Sequence, residues 1–323
     1  PPKPPRLLNA GHGPLRLLRS EEVELLNNNG LVIIDNFLQE RCFGDFCKQR
    51  GFDASQVAHI VRRGTSQARL RPARLGRGES IWSSSAVRGD EMSWLSVPKC
   101  DAEALRQHGE KAVSRFFEEA GKEGVAKEGV KEAAPLTSEY DVLAADLQSL
   151  FARAKAGDRE VTDPVSGEDA AAEAEQTAEC YQDLDVLLTS VAALRQELDE
   201  VLGFGSCRVS TMVARYPGAG ARYARHRDSL PHRDERRRLT AVYYLNSDWQ
   251  EEHGGCLRAH FPGPVGRRVA AAVADTEREG KEEAFYLDVA PIIDRLVMFS
   301  SEWLEHEVLP AYAERWAITT WFY

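Results

Sequence analysis

"CRVSTMVARYPGAGARYARHRD", residues 207–228, is the stretch that decides the fold. Two runs rich in β-branched and aromatic residues flank a Tyr-Pro-Gly turn, the pattern of two short strands. The same texture continues to the end of the chain. "RLTAVYYLN" (238–246), "GCLRAHFP" (255–262), "EAFYLDVAP" (283–291), "RLVMFSS" (295–301), "HEVLP" (306–310) and "RWAITTWFY" (315–323) are short strand-like runs punctuated by Gly and Pro. Many short strands with such punctuation make a sandwich or barrel rather than a parallel α/β sheet. The expected class is therefore α+β: an antiparallel double-sheet barrel supported by N-terminal helices.

Working outward to the N-terminal side, "YQDLDVLLTSVAALRQELDEVLG" (181–203) has helical periodicity and a glycine stop at Gly203. Residues 101–177 are rich in Ala, Glu, Lys and Gly and poor in large apolar side chains. Such a segment buries too little surface to offset its ordering entropy unless parts of it pack as helices, which the pattern places at 102–120 and 138–156. "SEEVELLNNNG" (20–30) reads as a helix with Ser20 as its cap, acidic residues in its first turn and a glycine end. "LVIIDNFL" (31–38) follows as a buried strand. Residues 62–77, full of Arg and Gly, read as a mobile loop leading to a turn at Arg88-Gly89-Asp90 between Trp82 and Trp94. The domain plan is thus a flexible lead-in (1–19), an N-terminal helix and strand part with a substrate loop (20–100), a charged insert (101–177) and a core (178–323).

Bulk properties narrow the function. A net charge of −10 and a pI near 5.4 disfavour a chain that grips nucleic acid by bulk charge. No run of about 18 apolar residues is present, so no membrane-spanning helix is expected. The chain starts "PPKPPRLLN" without Met, which suggests a processed or excised piece whose targeting segment could lie upstream. Its six cysteines are scattered with no C-x-x-C pair, as suits reduced thiols in a cytoplasmic or nuclear protein.

The opening stretch ends on His226-Arg-Asp228, and the pattern repeats as His232-Arg-Asp234. In a strand, residues two apart project from one face, so His226 and Asp228 can point together into a barrel. His232 and Asp234 follow Pro231 in a basic loop with no fixed face, and read as a decoy. Far downstream, "FSSEWLEHEVLPAYAERWAITTWFY" places His306 before a Pro-containing turn and Arg315 at the head of a strand. Arg315, Ala317, Thr319 and Trp321 share one face of that strand, and Trp316, Ile318, Thr320 and Phe322 the other. An arginine on an otherwise small or apolar face needs an anionic partner, and its fork suits a carboxylate. Two histidines and one carboxylate make the facial triad of non-haem Fe(II) oxygenases, with positions left open for an α-keto acid and O₂.

The motifs "MVARYPGAGARYARHRD", "TAVYYLNSDW", "GGCLRAHFP", "DRLVMFSS" and "HEVLPAYAERWAITTWFY" resemble the 2-oxoglutarate- and Fe(II)-dependent prolyl 4-hydroxylases, most of all the hypoxia-inducible-factor (EGL-nine) type. The likeness covers residues 205–323, with weaker echoes in "NNGLVIIDNFL" and "VRGDEMSWLS". It implies a double-stranded β-helix (jelly-roll, cupin-like) that hydroxylates proline C4 in a protein or peptide, acting as a monomer with Fe(II), 2-oxoglutarate, O₂ and ascorbate as reductant. It further implies His226, Asp228 and His306 as iron ligands, and Arg315 and Tyr244 on the far carboxylate of 2-oxoglutarate. Tyr216 would lie by the metal-bound end of that cosubstrate. Leu257, Thr240, Val308 and Thr319 would line its pocket, Trp321 would adjoin the substrate proline, and Arg88 and Asp90 would order the substrate loop. A carboxylate at 228, where related halogenases have a small residue, fits hydroxylation. The longer basic connection from His226 to Tyr244, the polar insertion "GRRVAAAVADTEREGKEEAF" (266–285) and the unmatched 101–177 segment depart from the family. Two other readings are an oxygenase acting on a different side chain, a nucleobase or a small molecule, and a catalytically silent barrel used as a binding module.

Overall fold

The computed structural model describes residues 17–41, 52–67, 70–73, 84–95, 209–229, 237–262, 265 and 285–323, with most of 186–198. The insert 101–177, His232 and Asp234, the lead-in to residue 16 and nearly all of 266–285 lie outside the described residues. Eleven described strands form two antiparallel sheets. The larger has the order β1-β9-β6-β11-β4-β3-β2, and the smaller β5-β10-β7-β8. These are β1 (Leu31–Ile34), β2 (Arg71–Pro72), β3 (Glu91–Leu95), β4 (Val209–Tyr216), β5 (Ala221–His226), β6 (Leu239–Tyr244), β7 (Leu257–Phe261), β8 (Phe285–Val289), β9 (Leu296–Ser300), β10 (Glu305–Ala311) and β11 (Arg315–Phe322). Consecutive strands alternate between the sheets from β4 to β7 and again from β8 to β11, the winding of a double-stranded β-helix.

Every strand expected after residue 205 is present, and most carry enough apolar residues at period two to bury one or both faces. β11 is buried at all its positions and pairs with β4 on one side and β6 on the other. Its Trp316, Ile318 and Phe322 join Leu239, Ala241, Tyr243, Leu296 and Met298 in a core beneath the helices. Ala317 turns the other way and packs with Val242, Tyr244, Phe299 and Leu257 between the sheets. The face assignment read from sequence along β11 therefore holds.

The N-terminal part differs from expectation in four places, and β10 in one. Helix α1 (Ser20–Asn29) is capped one residue earlier than expected, at Arg19: the Arg19 N–H donates to the Glu22 carboxylate at 2.7 Å, so Glu22 closes the turn and Ser20 lies inside. Gly30 ends it with φ 72°. The strand after it stops at Ile34. Asn36 takes φ 49°, and Phe37 begins the short helix α2 (Phe37–Arg41), whose first N–H groups are accepted by Asp294 from across the sheet at 2.9 Å. Part of the expected 62–77 loop is structured. Helix α3 (Ala54–Gln67) reaches into it, burying Val57, Ile60 and Val61, and β2 pairs with β3. The turn before β3 closes at Ser84, whose carbonyl accepts from Val87 and Arg88, so Arg88-Gly89-Asp90 is the extended approach to β3. Pro310, expected in a turn, lies inside β10 where the ladder to β5 changes register, so its missing N–H interrupts no regular pairing there. Among the described residues no helix is long and apolar enough to cross a membrane.

Candidate metal centre and anion pocket

β5 and β10 pair so that His226 lies opposite His306. Opposed residues of an antiparallel pair share a face, so both imidazoles enter the barrel, with ring centroids 4.3 Å apart. Asp228 sits two residues past the end of β5. One oxygen, Oδ1, is 3.5 Å from His226 Nε2, and Oδ2 is 3.9 Å from His306 Nε2. The three residues each bring a ligand atom within 4.8 Å of the others.

Protonation states follow from the surroundings. His226 Nδ1 lies 2.8 Å from the Ala224 carbonyl and His306 Nδ1 3.3 Å from that of Leu304. A carbonyl only accepts, so both Nδ1 atoms carry a proton, and each ring turns its Nε2 toward the gap. Burial, reinforced by the neighbouring His226 and opposed by Asp228, pushes the His306 pKa down to about 4. Burial by itself would raise that of Asp228, but His306, His226 and Arg237 outweigh it and hold the carboxyl well below the usual range. Two imidazoles and one carboxylate suit Fe(II) with open positions.

Next to this cluster lies a buried cation. Arg315 opens β11 at 4% exposure, and its Nε donates to the Gly255 carbonyl at 2.7 Å. Its guanidinium carbon is 4.8 Å from the Tyr216 ring centroid and 5.0 Å from that of Tyr244. Among the described residues no carboxylate lies within ion-pair distance of it, and the fully buried Tyr244 hydroxyl has no hydrogen-bond partner. Burial raises the pKa of both phenols, against the opposing pull of Arg315, so they stay neutral donors. A desolvated guanidinium beside an unsatisfied hydroxyl is costly unless an anion completes them, so the pocket fits the far carboxylate of an α-keto acid. Gly255 is glycine for a reason: at φ +73° a Cβ would lie 2.9 Å from Arg315 Cδ. Leu257 and Val308 are register partners on β7 and β10, and Thr319 lies opposite Met212 and Val242; all three are buried.

Other expected residues fall near the cluster with contacts the sequence did not announce. Thr240, expected to line the cosubstrate pocket, donates to Asp228 Oδ2 at 2.6 Å and meets Ser301 Oγ at 2.8 Å. Arg88 and Asp90 form a two-bonded pair at 2.7 and 2.9 Å. Burial opposes the Arg88 charge, but Asp90 outweighs it and raises the Arg88 pKa. The Arg88 guanidinium then lies 4.7 Å over Tyr223, which stacks at 3.7 Å on the His226 ring. Trp321 is buried, with the Arg237 guanidinium 3.9 Å over its ring.

Tyr223, Ser301 and Arg237 went unnoticed in the sequence. Tyr223 escaped for a definite reason: strict alternation puts residues 223 and 226 on opposite faces. The β5–β10 ladder shifts by one residue between them, since His306 faces His226 whereas Val308 faces Tyr223. Ser301 lies beyond a strand end, where periodicity carries no information.

Residues 211–323 match the 2OG-Fe(II) oxygenase superfamily. Over 118 residues the chain is 43% identical to human "Prolyl hydroxylase EGLN3", covering 36% of this chain and 41% of that protein. It is 40% identical over 117 residues to human "Egl nine homolog 1", covering 36% of this chain and 23% of that one. The match thus spans less than half the length of either relative. Among solved structures, a "prolyl hydroxylase in complex with hypoxia inducible factor oxygen degradation domain peptide fragment" from Trichoplax adhaerens aligns with TM-score 0.48 and 24% identity, over 94% of this chain and 87% of that one.

Proposed function

We propose that this chain, whose residues 211–323 form a 2OG-Fe(II) oxygenase domain, is a dioxygenase that hydroxylates proline at C4 in a protein substrate. The observation that carries the reading is the convergence of His226, Asp228 and His306 beside a buried Arg315 with no anion of its own. Each half of the site lacks what the other half's ligand would supply. Identity of 43% over 118 residues to a protein named "Prolyl hydroxylase EGLN3" supports proline as the target.

When bound, Fe(II) and 2-oxoglutarate supply the O₂-dependent oxidation, with succinate and CO₂ as by-products and ascorbate as reductant. The chain's own residues hold and orient. His226 and His306 present Nε2 because the Ala224 and Leu304 carbonyls fix their Nδ1 protons. Asp228 stays ionised and supplies the anionic ligand. Arg315, anchored at Gly255, and the Tyr244 hydroxyl would take the far carboxylate of the cosubstrate, and Tyr216, whose ring also adjoins the Arg315 guanidinium, would border the same molecule. Leu257, Val308 and Thr319 line the pocket and exclude water. Arg88 and Asp90 brace the approach to β3, and Trp321 would adjoin the substrate proline. The protein works as a monomer on a proline-containing protein in the cytoplasm or nucleus.

Uncoupled turnover of 2-oxoglutarate to succinate with added Fe(II) tests the site. His226→Ala is expected to abolish it, while His232→Ala keeps near-wild-type turnover; the reverse pattern refutes the assignment. Candidate peptides with a proline-free control, read by mass spectrometry for one added oxygen on proline, test the substrate.

A further inference from the structure

We propose that Ser301 is a positioning residue for the metal centre, acting through the Thr240 hydroxyl on the ligand Asp228. The inference rests on the oxygenase reading and adds a residue to it. The direction of the relay is forced by proton supply. Thr240 Oγ1 donates to Asp228 Oδ2 at 2.6 Å, and a hydroxyl has a single proton to give. That distance falls in the short range of hydrogen bonds to a charged acceptor. Thr240 Oγ1 then has only lone pairs to offer, so the contact at 2.8 Å must be donated by Ser301 Oγ. Both hydroxyls are buried, Thr240 at 1% and Ser301 at 0% exposure, so water does not compete for either.

The backbone of Ser301 serves the same end. Its carbonyl accepts from the N–H of Ser229, the residue after the ligand, at 3.0 Å. Its own N–H donates to the Arg238 carbonyl at 3.0 Å, just before β6, the strand that carries Thr240. One residue, in the turn between β9 and the His306-bearing β10, therefore holds the ligand's loop by main chain and its carboxylate by side chain. The consequence is a difference between the two oxygens of Asp228. Oδ2 is committed to the hydroxyl relay, which leaves Oδ1, the one nearer His226 Nε2, as the ligand atom. A single-oxygen ligand keeps a coordination position free for cosubstrate or O₂.

The experiment is a double-mutant cycle on metal affinity, measured by anaerobic Fe(II) titration of the full chain, with Co(II) absorption as a second readout. Outer partners of metal ligands typically contribute about 10- to 100-fold in affinity. Ser301→Ala is expected to weaken Fe(II) binding about tenfold, near the lower end of that range. Thr240→Val should weaken it further and change the Co(II) visible bands, with Ser301→Ala shifting them in the same direction. In the Thr240→Val background, Ser301→Ala should add no further loss, because the relay is already cut. Wild-type affinity in Ser301→Ala, or an equal loss in both backgrounds, overturns the relay and leaves the oxygenase reading standing. Wild-type protein that takes up no Fe(II) removes both.

Discussion

The two sheets divide the labour of the site unequally. The larger sheet is packed on both faces at its centre: β6, β9 and β11 are buried at every position, between the barrel interior and the helices. The smaller sheet is packed on one. Along β7 buried residues alternate with half-buried ones, and its outer face carries a ladder of charged pairs. Arg225 meets Glu305, His260 meets Glu307 at 3.0 Å, and Arg258 meets Asp288 at 2.7 Å, with Tyr286 over Arg258 at 4.0 Å. Arg315, Tyr244, Tyr216 and Thr240 come from the larger sheet, whereas His226 and His306 come from the smaller. The residues that would grip the anion therefore stand on the sheet packed on both faces, and the two histidines on the sheet that relies more on polar contacts.

The largest expected consequence is in stability. Phe322, 1% exposed on the helix-facing side of β11, should cost about 3–5 kcal/mol when cut to Ala, since the cavity lies between sheet and helix. Tyr286, half exposed on the smaller sheet, should cost no more than about 0.5 kcal/mol when cut to Ala, as surface changes usually do. Urea unfolding of the two variants reads the contrast, and equal losses would break it.

Acidification probes the smaller sheet. With metal removed by chelator, an unfolded histidine protonates near 6.5, while native His306 resists until about 4 because it is buried beside His226. On lowering the pH, the unfolded state takes up the proton first, so stability is full above about 6.5 and falls between 6.5 and 4. At 1.36 kcal/mol per unit the loss is at most about 3 kcal/mol. Urea midpoints at pH 7 and 4.5 measure it, and His306→Gln should flatten the profile in this window. A wild-type profile already flat there would contradict the buried, neutral His306.

How much of this could be read beforehand follows the same division. On the larger sheet the sequence is redundant. Eight residues of β11 bury both faces, so register, face and the buried position of Arg315 all follow from period two. On the smaller sheet the ligands themselves were legible, because His226-x-Asp228 and His306 carry a chemical signature independent of fold. Their supports were not. The bulge that brings Tyr223 under His226 arises from pairing with a strand some eighty residues away, and no local pattern encodes it. Ser301 depends on a turn brought against β6 by the barrel's winding. At the N-terminus, Asn36 turns the chain after β1 and Asp294 caps α2 from a distant loop, so two apolar runs broken by Asp35-Asn36 looked like one long strand.

The smallest expected effect is the sharpest probe of whether charge pairs hold the metal-bearing sheet. Glu305, next to His306, accepts from Arg225 Nε at 2.8 Å and pairs with Arg227 at 3.1 Å, so it ties together the residues flanking His226. All three side chains are at least a third exposed, and exposed pairs contribute about 0.2–1 kcal/mol each. Glu305→Gln keeps the shape and removes the charge. It should therefore lower stability by less than about 1 kcal/mol, and the gap from wild type should close as salt rises toward 1 M. Fe(II) affinity should change little, because the ligands are fixed from the other side, by the Ala224 and Leu304 carbonyls and by Thr240. A loss that persists at high salt, or a large fall in Fe(II) affinity, would mean that the outer ladder positions the ligands directly. The burden assigned to the inner hydrogen bonds would then move to the solvent face.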